Sequence, residues 1–209
     1  ASRMRSLAEN ASAELVIRNS RFLAEAVIVT SQEDARAALR SRKEHHADAS
    51  HVVHAFAVGA RGEILGCSDD GEPAGTAGRP VLEVLKGSGI TNCLITVTRW
   101  FGGTKLGTGG LVKAYTEAAK AVLERVVAVP LVSTRQFSCT VPYDVYEPLR
   151  RKMSELRVEL DREEFTTGVY LSGRVPADGA DALRTAVSDL TRGVSVVALQ
   201  EENLTAQKA

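Results

Sequence analysis

Two glycine-bearing loops hold the residues best suited to chemistry in this sequence. The first, FGGTKLGTGG at residues 101–110, combines Gly102, Gly103, Gly107, Gly109 and Gly110 with Lys105 and Thr108, and Lys113 follows one turn later. It stands between an apolar run and a strongly helical one. A helix N-terminus offers unpaired backbone N–H groups and the positive end of its dipole to an anion, and glycine lets backbone approach a ligand closely. With Arg99 just before it and Arg79 at the end of the other loop, the pattern fits a phosphate cradle. It is not a Walker A loop, because Thr108-Gly109 stand where Lys-Ser/Thr is required. Nor is it GxGxxG. The competing reading is a tight strand-to-helix crossover in which glycine only relieves crowding.

The second loop, SDDGEPAGTAGRP at residues 68–80, places Asp69, Asp70 and Glu72 among glycines and prolines. Carboxylates so grouped could hold Mg²⁺ through one or two oxygens and leave the rest to water and phosphate. In extended backbone Asp69 and Asp70 point apart, so no more than two of the three can face one ion. Asx-turn and helix-capping roles compete with that chemistry. All four histidines, His45, His46, His51 and His54, fall in one short stretch. On a strand His51 and His54 face opposite sides, and His45 and His46 suit the end of a helix, so no metal site is expected. His51 beside the carboxylates is the candidate general base. Ser68 and Thr76 flank the acidic loop, but no GxSxG selects a nucleophile. Cys67, Cys93 and Cys139 are too scattered for a disulfide framework or a thiolate zinc site, and all three read as small buried apolar residues.

The elements that must position these loops follow from periodicity. Residues 13–29 read as a hairpin broken at Arg18–Arg21, Ser31 caps a helix ending near His46, and 51–60 and 63–68 are strands. A short helix ending at Gly87 and a strand at 92–100 follow, and the helix after the first loop carries Leu111, Ala114, Tyr115, Ala118, Ala119, Val122 and Leu123 at helical spacing. Beyond Pro130 the order becomes strand 133–142, a helix capped by Asp144 and running through Leu156, strands 157–163 and 167–175, helix 178–190 and strand 193–200. That is βαββαβ, the ferredoxin-like order. The expected division is a first domain at 1–130 and a second at 131–209, and the fold class is α+β.

The chain has 209 residues, 44% of them hydrophobic and 25% charged, which suits folded domains and not a disordered segment. Its 26 basic and 26 acidic side chains cancel. Bulk electrostatic attraction to nucleic acid is thereby excluded, and any such binding must come from a local patch. No apolar stretch is long enough to span a membrane, and no apolar run follows the opening arginines as a secretory signal needs. A cytoplasmic location is the expectation.

The paired motifs SDDGEPAGTAGRP and TRWFGGTKLGTGGLVKAY, with Ser20-Arg21-Phe22 and Ala49-Ser50-His51, resemble the signature of the YigZ/IMPACT family over residues 13–125. The resemblance implies a first domain with the α/β fold of a ribosomal-protein domain and of elongation factor G domain IV, then a ferredoxin-like domain. It also implies contact with RNA or the ribosome. IMPACT relatives in eukaryotes regulate translation by interfering with activation of an initiation-factor kinase, through an additional N-terminal domain that is not expected in this chain, so that partner is not expected to carry over. Two departures stand out. Val53 replaces a cysteine common in the family, and Trp100-Phe101 replace tyrosines while Thr104 replaces an apolar residue.

Two functions compete on these residues. In a translation-linked binding protein, with RNA, the ribosome or a protein of the translation machinery as partner, Arg99, Lys105 and Lys113 engage phosphate and Trp100 or Phe101 stacks on an unpaired base. No cofactor is needed. In a metal-assisted enzyme acting on a phosphorylated small molecule or nucleotide, the glycine loop holds phosphate, Asp69 or Asp70 holds Mg²⁺ or takes a proton, and His51 assists. Burial of the lone Trp100 in the core is the expected outcome for such a residue.

Overall fold

Short apolar–polar alternations at the start of the chain become strands in the computed structural model, which describes residues 4–206. The order is β1 (Arg5–Leu7), β2 (Ala11–Ile17), β3 (Ser20–Ile28), α1 (Gln32–His45), β4 (His51–Val58), β5 (Ile64–Ser68), α2 (Gly78–Gly87), β6 (Cys93–Trp100), α3 (Gly107–Arg125) and β7 (Ala128–Val141). Then come α4 (Tyr146–Glu155), β8 (Glu159–Phe165), β9 (Val169–Pro176), α5 (Ala180–Thr191) and β10 (Ala198–Ala206). The described residues thus form an α+β protein. The chain divides after Leu131, and Val132–Thr205 form the second unit.

In the first unit the sheet order is β2-β3-β6-β4-β5, with every neighbouring pair antiparallel. Ile17 pairs with Ser20 across a two-residue turn in which both Arg18 and Asn19 have positive φ, the backbone that matches strand twist in a tight hairpin. Phe22, Ala24, Ala55, Ile95 and Val97 pack against α2 and α3 through Leu85, Tyr115, Ala118 and Val122. Leu94, Phe56 and Val58 pack with Ala35 of α1. The sheet therefore carries helices on both faces. For this reason β6 is buried almost throughout instead of alternating between core and solvent, Thr96, Thr98 and Arg99 included, and it ends at the glycine loop.

The second unit keeps the βαββαβ order, with β7 and β9 central, β8 beside β9 and β10 beside β7. Phe137, Cys139, Leu171 and Val175 bury one sheet face under Leu149 and Met153 of α4 and Leu183 and Val187 of α5. Three boundaries differ from the sequence reading. β7 starts before Pro130, which sits opposite Arg5 in the β1–β7 pairing. At a sheet edge a residue without an N–H is tolerated. The last strand lies at Ala198–Ala206, because the apolar run before it is loop, with Val194 and Val196 more than three-quarters exposed. α3 begins at Gly107, inside the glycine loop. No helix among the described residues is long and apolar enough to cross a membrane.

Candidate functional site

A cluster of buried charge lies beneath the glycine loop and fixes its root. Arg99, near the end of β6, is 5% exposed, and its Nη1 donates to both carboxylate oxygens of Glu72 at 3.0 and 2.8 Å. The Tyr115 hydroxyl of α3 donates to the same carboxylate at 2.7 Å, and His51 Nε2 lies 3.0 Å from it. Ser20 Oγ accepts from Arg99 Nε and Nη2 and also from the Gly102 N–H. Ser50 Oγ accepts from the Phe101 N–H at 3.0 Å. Ion pairs taken out of water are tolerable only when nearly every donor and acceptor finds a partner, and this one ties β3, β4, β6, α3 and the acidic loop together. Burial, followed by the hydrogen bond to Glu72, pushes the Tyr115 hydroxyl far above its ordinary range.

The remaining carboxylates also serve the chain itself. Asp69 accepts from the N–H groups of Gly75, Ala77 and Gly78 at 2.9, 3.2 and 2.8 Å. It caps α2, whose own N-cap residue Ala77 supplies no side-chain bond. Asp70 accepts from the Val52 N–H at 2.7 Å and pairs with Lys43 at 3.3 Å, while its carbonyl takes a hydrogen bond from His51 Nδ1 at 2.7 Å. The two neighbours reach different partners, and they do so from a turn in which Asp70 has a φ of 45°, not from the extended backbone expected from the sequence. His51, Asp69, Asp70 and Glu72, the catalytic candidates, are thus brought together in space with each acid group already facing donors of the protein. Ser68 accepts from the Asp70 N–H, and Thr76 donates to the Pro73 carbonyl. Among the described residues, no group of three or more His, Cys, Asp or Glu side chains is placed to hold a metal.

Burial alone would push the Asp69 carboxyl upward, but its three backbone donors outweigh that and hold it below the ordinary 3.8. A carboxyl depressed in the folded state stabilises fully above its unfolded value, and that contribution is lost as pH falls through the lower folded one. Urea midpoints measured between about pH 5 and 2 are accordingly expected to fall less steeply for Asp69→Asn than for the wild type. Parallel curves would contradict the capping role.

The glycine loop itself projects outward. Phe101 is 51% exposed, and Thr104, Lys105, Thr108, Gly109 and Lys113 are exposed as well. α3 starts with no side-chain cap, leaving its first N–H groups to solvent. Gly103 and Gly107 have φ of 87° and 71°, and open space surrounds the points where side chains would begin at Gly103, Gly107 and Gly109. Gly102 differs, because a Cβ there would fall 2.1 Å from the Asn19 carbonyl oxygen. Gly110 faces Leu106.

Several expectations are corrected by this geometry. Arg99 is buried against Glu72 and does not reach an external phosphate. Arg79 is exposed on α2 and pairs with Glu83 at 3.3 Å. Trp100 is half-buried, with the Arg21 guanidinium 4.4 Å over its ring and His46 edge-on at 5.5 Å. Cys67 is exposed, whereas burial pushes the Cys93 and Cys139 thiols up to about 12 and about 11. Sequence reasoning missed Arg18, which the β2–β3 turn carries next to the Asn19 backbone that Gly102 touches. The signal was the hairpin turn, read only as a break between strands.

A family model described as the Impact N-terminal domain matches residues 18–123. The IMPACT family member YigZ of Escherichia coli is 31% identical over 188 residues, spanning 88% of this chain and 92% of its own. The Protein IMPACT homolog of Saccharomyces cerevisiae is 33% identical over 118 residues, 54% of this chain and 45% of that one. A solved structure described only as that of a hypothetical protein is 30% identical, covers 100% of this chain and 98% of its own, and superimposes with a TM-score of 0.67.

Proposed function

The chain belongs to the IMPACT family, and from that premise we propose that it is a translation-linked regulatory protein that binds ribosomal RNA through the Phe101–Gly110 loop and the first turn of α3. The observation that carries this reading is the division of charge between the two loops. The acidic loop is turned inward, its carboxylates satisfied by Arg99, Lys43 and backbone N–H groups. The glycine loop is turned outward, with Lys105, Lys113 and Arg18 in no ion pair among the described residues. Carboxylates left at the surface would repel phosphate; here Glu72 and Asp70 are paired with Arg99 and Lys43 and Asp69 is held by backbone N–H groups, and an uncapped helix N-terminus with three cations favours an anion. Translation enters through kinship, since the IMPACT relatives that the motifs resemble regulate it.

Three cations on a chain of zero net charge give modest binding. Contact with about three phosphates of single-stranded RNA releases about two counterions and weakens binding roughly 18-fold between about 50 and 200 mM salt. Co-sedimentation with purified ribosomes is expected at the lower salt and to fall away at the higher. No pelleting at low salt would reject the ribosomal reading and turn attention to a protein partner. The metal-assisted enzyme, with Mg²⁺ held by Asp69 or Asp70, draws no comparable support, because both carboxylates already face the protein's own donors.

A further inference from the structure

Resting on that reading, we infer that the loop selects unpaired RNA, with Phe101 as the platform on which one base stacks and Arg18, Lys105 and Lys113 holding the phosphates beside it. Two aromatic residues stand side by side before the glycines, and the structure separates them. One face of Trp100 is taken by Arg21, and the His46 ring stands perpendicular to it at 5.5 Å. Phe101 is half in solvent and has no aromatic neighbour among the described residues. The cation that approaches it is the buried Arg99, 5.6 Å from the ring centroid.

The position of Phe101 is also fixed. Its N–H donates to Ser50 Oγ, and the next N–H donates to Ser20 Oγ, so the ring is presented on a backbone anchored at two successive residues. An exposed apolar ring held in this way, beside cations without ion-pair partners among the described residues, matches the two parts of single-strand recognition, a stacking face and a basic track. Duplex RNA offers no such base. Its bases are already stacked on one another, and its grooves are read by shape and by phosphate and 2′-hydroxyl contacts.

The test is fluorescence anisotropy of the full chain with two labelled RNAs of equal length, one unstructured and one a perfect duplex, at about 50 mM salt. The unstructured RNA is expected to bind more tightly, and Phe101→Ala is expected to weaken it roughly tenfold while leaving duplex binding unchanged. Phe101→Tyr keeps the stacking face and is expected to restore the single-strand affinity. Thermal melts of both variants separate lost stacking from lost folding. If wild type binds both RNAs equally and Phe101→Ala changes neither, while Lys105→Ala/Lys113→Ala abolishes both, phosphate binding stands and the selection of unpaired RNA is overturned. If wild type binds neither RNA, the stacking platform and the RNA-binding reading beneath it both fall.

Discussion

Glu72→Ala is expected to destabilise the first unit by about 3–5 kcal/mol, the cost of leaving one member of a buried ion pair without its partner. Arg99 would remain buried, with Ser20 Oγ the one acceptor left to its guanidinium among the described residues. The Tyr115 hydroxyl would lose its acceptor as well, and His51 the carboxylate its Nε2 faces. Glu72→Gln keeps an acceptor but not the charge and is expected to cost less. A combined Glu72→Leu/Arg99→Met variant removes both charges and is expected to recover much of the loss. Urea unfolding of the three variants makes the comparison. A loss below about 1 kcal/mol for Glu72→Ala would mean an interaction no stronger than a surface pair and would contradict the role given to this cluster.

The second large effect is expected at Gly102. A Cβ there would meet backbone atoms of the β2–β3 turn, the Asn19 oxygen at 2.1 Å and carbon at 2.2 Å, and backbone cannot rotate aside as a side chain can. Gly102→Ala must move the turn or the loop, breaking the Gly102–Ser20 bond, and overpacking of this kind costs about 1–3 kcal/mol. Gly109→Ala is the contrasting case. Gly109 lies within α3 with open space around it and no positive φ, so alanine there is expected to stabilise by about 0.5–1 kcal/mol. Thermal unfolding of the two variants decides between them: equal effects would mean that the loop glycines share one role, whereas opposite signs separate close packing at Gly102 from backbone exposure at Gly109.

That contrast marks how far the sequence could be read. Periodicity and capping located α1 well, with Ser31 Oγ accepting from the Asp34 N–H at 3.0 Å, and the βαββαβ order of the second unit follows from strand alternation and helical spacing, although Asp144 lies in a short turn before α4 and does not cap it. β1 escaped notice because three residues carry no period. The start of α3 lies earlier than the sequence suggests because three of its first four residues are glycines with no side chains to show a pattern. In the site, residue types singled out the two loops but not the direction each side chain faces. Arg99 and Glu72 lie 27 positions apart, and nothing local reveals that they meet in the interior. The same pairing withdraws Arg99 from the surface and leaves the proposed binding role to Lys105, Lys113 and Arg18, the last visible only once the hairpin is folded against Gly102.

The central claim, that the outward glycine loop is the contact with ribosomal RNA, is tested most directly by co-sedimentation with ribosomes at low salt. Wild type is compared with Lys105→Ala/Lys113→Ala and with a control that removes equal charge from α1 and α2, Arg36→Ala/Lys86→Ala. The first variant is expected to stop pelleting while the control pellets like wild type. Equal pelleting of all three would place the contact elsewhere on the chain and contradict the claim.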